Sequence, residues 1–113
     1  MKIICAENTG FCSGVKRAVD MALKQENAFV LGQLIHNPQI VELLEKRRIK
    51  ETKSVDDIKS GTLIITAHGT LKNNIEKARK KRLKIVDTTC PLVKKVQNLA
   101  NQYSTKGYKV ILL

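Results

Sequence analysis

Short β-type runs alternate with helix-type stretches along the whole chain, and no other feature restricts the fold as much. The clearest run is TLIITAHG, residues 62–69, whose apolar residues stand side by side rather than alternating with polar ones. That pattern suits a strand covered on both faces of a parallel sheet. KIICA (2–6), AFVLG (28–32) and KIVDTTC (84–90) read as further strands, and YKVILL (108–113) as the start of another.

Between them lie helical patterns. Val15, Ala18, Val19, Ala22 and Leu23 fall on one face of a helix predicted over about residues 15–25. A second helix spans 37–47, with Asn37 as N-cap, Pro38 in the first turn, and Ile40, Val41, Leu43 and Leu44 as its apolar face. The basic stretch 71–82 is a third, and 91–107, opened by Pro91 and closed by Gly107, a fourth. This order predicts an α/β fold: an open, mostly parallel sheet with flanking helices and right-handed crossovers.

With 113 residues, the chain reads as one such module over 1–113, its strand from about 108 beginning the next. Apolar residues make up 42% and aromatics only 4%, so the core must be aliphatic. No apolar run reaches membrane-spanning length, and the opening MKIICAENTG is too short in apolar residues for a secretory signal. A cytoplasmic setting is expected, where three cysteines, Cys5, Cys12 and Cys90, point to thiol or metal chemistry rather than disulfides. The net charge of +11 invites a nucleic-acid partner, but EKRRIKETK and EKARKKRLK mix Glu with Lys and carry no aromatics for base stacking. An anionic small molecule is the more economical partner.

Ligands of parallel sheets bind beyond the carboxyl ends of the strands. On the predicted layout Cys12, His36, His68 and Cys90 all stand there, each close before a helix, whereas Cys5 sits inside a strand and reads as core. Thiolates are favoured at helix starts, and imidazole donors beside free helix amides suit a phosphate or diphosphate. Two Cys and two His match no compact zinc pattern, and an iron–sulfur cluster needs more cysteines. Residues alone therefore read as a soft-metal or thiol site beside an anion pocket.

GFCSGVKRAVD, IHNPQIVELL, TAHGT and VDTTCPLVKKV, in this order, closely resemble the N-terminal part of the LytB family of 4-hydroxy-3-methylbut-2-enyl diphosphate reductases. The resemblance implies one module of a three-module trefoil built around a central 4Fe–4S cluster. It implies reductive removal of an allylic hydroxyl, giving isopentenyl and dimethylallyl diphosphate in the last step of the non-mevalonate isoprenoid pathway. Electrons would come from an external donor such as ferredoxin or flavodoxin. Carried over by motif, Cys12 and Cys90 look like cluster ligands and His36 and His68 like diphosphate-binding residues. The glycines around Cys12 would let backbone approach the cluster. The family's third cysteine ligand, proton-donating glutamate and remaining diphosphate contacts would follow Leu113, so this chain is expected to be inactive by itself. The competing expectation is a basic anion- or nucleic-acid-binding α/β domain without catalysis.

Overall fold

The computed structural model describes residues 1–7 and 9–111. Four helices, α1 (Ser13–Ala22), α2 (Pro38–Lys46), α3 (Lys72–Lys80) and α4 (Pro91–Thr105), are interleaved with four strands. These are β1 (Ala28–Leu31), β2 (Lys50–Thr52), β3 (Thr62–Ile65) and β4 (Lys84–Asp87), and a 3₁₀ turn, Val55–Asp57, links β2 to β3. The strands form one parallel sheet in the order β2-β1-β3-β4.

Register decides which side chains meet. Val30 pairs with Ile64 and Ile64 with Val86, while Phe29 pairs with Leu63 and Leu63 with Ile85, so each rung presents one apolar row to one face. On the first face Val30, Ile64 and Val86 meet Ala18, Val19 and Ala22 of α1 and Leu44 of α2. On the second, Phe29, Leu63 and Ile85 meet Val55 and Ile58 around the 3₁₀ turn, Ala78 of α3, and Leu83. Leu63 and Ile64 are fully buried, each contributing roughly 1.5–3 kcal/mol by leaving water. The continuous apolar run around them is thus explained by a sheet covered on both faces.

Part of the positive charge is structural. Lys81 Nζ donates to the carbonyl oxygens of Val55, Asp56 and Ile58 at 3.0, 2.6 and 2.9 Å, and Lys77 pairs with Asp56 at 2.6 Å. The basic helix α3 therefore clamps the 3₁₀ turn that carries the chain across the sheet.

Three expectations need correction. Residues 2–6 and 108–111 form no strand; 112 and 113 lie outside the described residues. Strand propensity is realised only when a neighbour completes the ladder, and neither segment is paired to one. Cys5, expected in the core, is exposed for the same reason. Conversely, β2 was not foreseen: Lys50–Thr52 lies in the charged stretch EKRRIKETK, and charge is what an edge strand tolerates. Among the described residues no helix is long and apolar enough to cross a membrane.

Candidate functional site

From β1 the chain first turns to one side, through α2 to β2, and then crosses to β3 on the other side. The loops leaving the carboxyl ends of β1 and β3 therefore diverge, and a crevice between them is where open parallel sheets bind ligands. His36 lies in the first loop and His68 in the second, both exposed. His36 directly precedes Asn37, whose side chain accepts from Ile40 N at 3.2 Å and caps α2. The cleft beside His36 is lined by Gln33, Asn37, Pro38, Val41, Glu42 and Glu45, and not by His68 or a cysteine.

His68 departs from expectation. It sits in the turn closed by Gly69 N donating to Thr66 O at 2.9 Å, and α3 begins only at Lys72 with Leu71 as N-cap. Its ring is therefore separated along the chain from the helix amides expected beside it.

Cys12 and Cys90 are the N-cap residues of α1 and α4, and neither side chain makes a capping hydrogen bond. Their sulfurs thus stand where first-turn amides lack side-chain partners. Cys12 follows no strand, yet α1 runs back along the sheet and brings its start to the edge where Cys90 leaves β4. The contact is direct: a Cβ on Gly14 would lie 2.6 Å from Cys90 Sγ. Arg17 Nη1 also donates to Thr89 O at 3.3 Å. Cys12 is exposed and Cys90 half-buried.

The residues before Cys90 form a braced loop. Thr88, fully buried, donates through N at 3.1 Å and through its hydroxyl to Ile65 O, and Cys90 N donates to Ala67 O at 2.9 Å. Asp87 accepts from the amide (3.0 Å) and hydroxyl of Thr89 and from Lys94 Nζ (2.6 Å). Burial would raise the Asp87 carboxyl, but Lys94 and the two Thr89 donors outweigh it and hold it below the ordinary carboxylate range. Sequence reasoning passed over Asp87, Thr89 and Arg17. The first two were readable, since an Asp accepting from the amide two residues on is a standard loop device.

Thiol donors suit iron–sulfur ligation in kind and fall short of it in number. Among the described residues, no three His, Cys, Asp or Glu side chains gather to hold a metal ion.

A family profile described as LytB protein matches residues 3–113. The chain belongs to the LytB family. Two curated relatives are named 4-hydroxy-3-methylbut-2-enyl diphosphate reductase, and both alignments take in the whole of this chain. That from Alkaliphilus oremlandii is 38% identical, with 43% of its length covered. That from Syntrophotalea carbinolica is 44% identical, with 42% covered. A solved structure of (E)-4-hydroxy-3-methyl-but-2-enyl diphosphate reductase, the terminal enzyme of the non-mevalonate pathway, superposes with a TM-score of 0.80 at 41% identity. That match covers 94% of this chain and 40% of the solved one. This LytB-family chain thus corresponds to the N-terminal part of its full-length homologues, a share in keeping with one of three modules.

Proposed function

We propose that this chain is the part of a 4-hydroxy-3-methylbut-2-enyl diphosphate reductase that supplies two cysteine ligands to its iron–sulfur cluster and two histidines to its diphosphate. Family membership supports the reaction class. The observation that supports the site assignment is the contact of Cys90 Sγ with Gly14, which lies in the first turn of the helix headed by Cys12, so that the starts of α1 and α4, neither with a side-chain cap, meet.

Cys12 and Cys90 would hold the cluster together with ligands from outside this chain. When bound, such a cluster supplies electrons and an iron site for the substrate oxygen. His36 and His68 would donate ring N–H groups to the diphosphate, which the reaction leaves unchanged, so that its binding energy orients the allylic hydroxyl. The braced loop from Asp87 to Cys90 would keep the thiol in place without a rearrangement cost. An external donor such as ferredoxin or flavodoxin would deliver the electrons in a cytoplasmic setting, and the 113-residue chain by itself would not turn over. Residues from about 108 would lead into the next module.

Anaerobic reconstitution with iron and sulfide, read by visible absorption and iron analysis, tests this in a full-length family member carrying these residues. Cys12→Ala and Cys90→Ala should each abolish the cluster, and Cys5→Ala should retain it. Normal iron content in Cys90→Ala would overturn the assignment. Titration with inorganic diphosphate and with DNA across a salt series addresses the anion site. Loss of the diphosphate response in His36→Ala and His68→Ala supports it, whereas a steep salt slope with DNA alone would favour a nucleic-acid-binding domain.

A further inference from the structure

Gly14 lies within α1 on ordinary helical backbone, buried, at a position where alanine is the better helix former. Nothing in its own conformation calls for glycine. Its surroundings do. A Cβ built there would stand 2.6 Å from Cys90 Sγ and 3.1 Å from Cys90 Cβ, and it would meet no other atom beyond its own helix and chain neighbours within 4 Å. The first distance is far inside van der Waals contact. The slot left by the missing methyl is occupied by one sulfur.

Cys90 has little room to retreat as a whole. Its amide is tied to Ala67 O at 2.9 Å, its carbonyl accepts from Lys94 N at 3.0 Å, and Pro91 follows it. Behind it, Thr88 is bonded to Ile65 O, and Arg17 of α1 is bonded to Thr89 O. With the main chain held on both sides, a methyl at position 14 is relieved mainly by turning the Cys90 side chain. That moves Sγ and leaves Cβ to shift by only a few tenths of an ångström.

From these contacts we infer that Gly14 is a positioning residue for the Cys90 thiol. Its bare α-carbon sets the direction of Sγ and seats it against the first turn of the helix headed by Cys12. The inference rests on the reading of Cys90 as a cluster ligand for its functional meaning, but the steric relation is independent of any metal.

The first test is peptide-resolved alkylation of the reduced 113-residue chain by iodoacetamide at fixed pH. In Gly14→Ala, Cys90 should react roughly threefold faster or more as its sulfur leaves the slot, while the Cys5 rate stays unchanged. An unchanged Cys90 rate in a folded Gly14→Ala chain would overturn the inference. The second test swaps sizes and covers the case in which Gly14→Ala folds poorly. In a Cys90→Gly background the new methyl meets open space, so Gly14→Ala should raise the melting temperature there and lower it in the native background. The same direction of change in both backgrounds would overturn it. Neither readout needs iron, so failure of native full-length protein to take up a cluster would sink the proposed function and leave this relation standing. If both hold, reconstituted full-length Gly14→Ala should show an altered visible spectrum with Cys12 and Cys90 both present.

Discussion

The two helices headed by cysteines, α1 and α4, differ in what their apolar faces meet. α1 buries Ala18, Val19 and Ala22 against the sheet and Gly14 against Cys90, and these residues are small enough for a close approach. α4 buries none of its residues. Leu92, Val96, Leu99 and Tyr103 share one of its faces, yet they are 72%, 48%, 44% and 51% exposed. α4 is held at its first turn, by Lys94 on Asp87 and by the bonds of Cys90. Its far end is closed locally: Gly107 N donates to Ser104 O and Tyr108 N to Tyr103 O, with the rings of Tyr103 and Tyr108 packed edge to face at 5.8 Å. An apolar stripe at helical spacing therefore makes a helix and marks a face, and burial additionally requires a surface opposite. A thiol can be positioned by either kind of helix, provided the first turn is anchored.

The largest expected effect separates the two helices most sharply. Ala22, completely buried, should not accept a larger side chain: Ala22→Leu should lower stability by about 1–3 kcal/mol. Leu99→Ala on the exposed face of α4 should change it by less than about 0.5 kcal/mol. Urea titration of both variants checks this, and equal losses would erase the distinction between the helices.

A smaller effect concerns the anchor of α4. Asp87→Asn removes the Lys94 pair and weakens both Thr89 bonds, a loss of about 1 kcal/mol at neutral pH given that both charged groups remain partly exposed. Because the folded-state carboxyl is held below its ordinary value, its contribution is fully present above about pH 4 and fades as pH falls through the lowered value. The gap between native and Asp87→Asn stabilities should therefore narrow on acidification. A gap that widens toward low pH would contradict the Lys94 and Thr89 contacts.

The smallest expected effect on global stability is at the other end of the helix. Gly107 has φ +86°, and Gly107→Ala should cost about 1–2 kcal/mol locally. Since that end is unburied, amide exchange of the last turn of α4 should accelerate while the melting temperature of the sheet holds. A matching drop in global melting would mean that α4 is more tightly coupled to the core than its burial indicates.

The elements with both a local pattern and a neighbour were legible from the chain. α1, α2 and α4, β1, and the core of β3 appear close to the predicted positions because periodicity, Asn37, Pro38, Pro91 and Gly107 are local signals. Residues 2–6 and β2 went the opposite way: the first had the right residues without a partner, the second a partner without the usual residues. Of the candidate site, the helix starts at Cys12 and Cys90 were readable, and the motifs pointed to the LytB family that the comparisons establish. The separation of His68 from the start of α3 was not readable, because it depends on how the turn after β3 closes.

By itself the sequence determined a parallel α/β sheet with an aliphatic core and thiols at two helix starts, since those properties follow from periodicity, side-chain type and capping within a few residues. Only the tertiary structure decided that Gly14 faces Cys90, that Asp87 and Lys94 brace the same loop, and that α1 is buried where α4 is not. The physical reason is distance along the chain. Side chains tens of residues apart meet only where sheet order and helix packing bring them together, and local patterns do not encode which surface a helix finds opposite it.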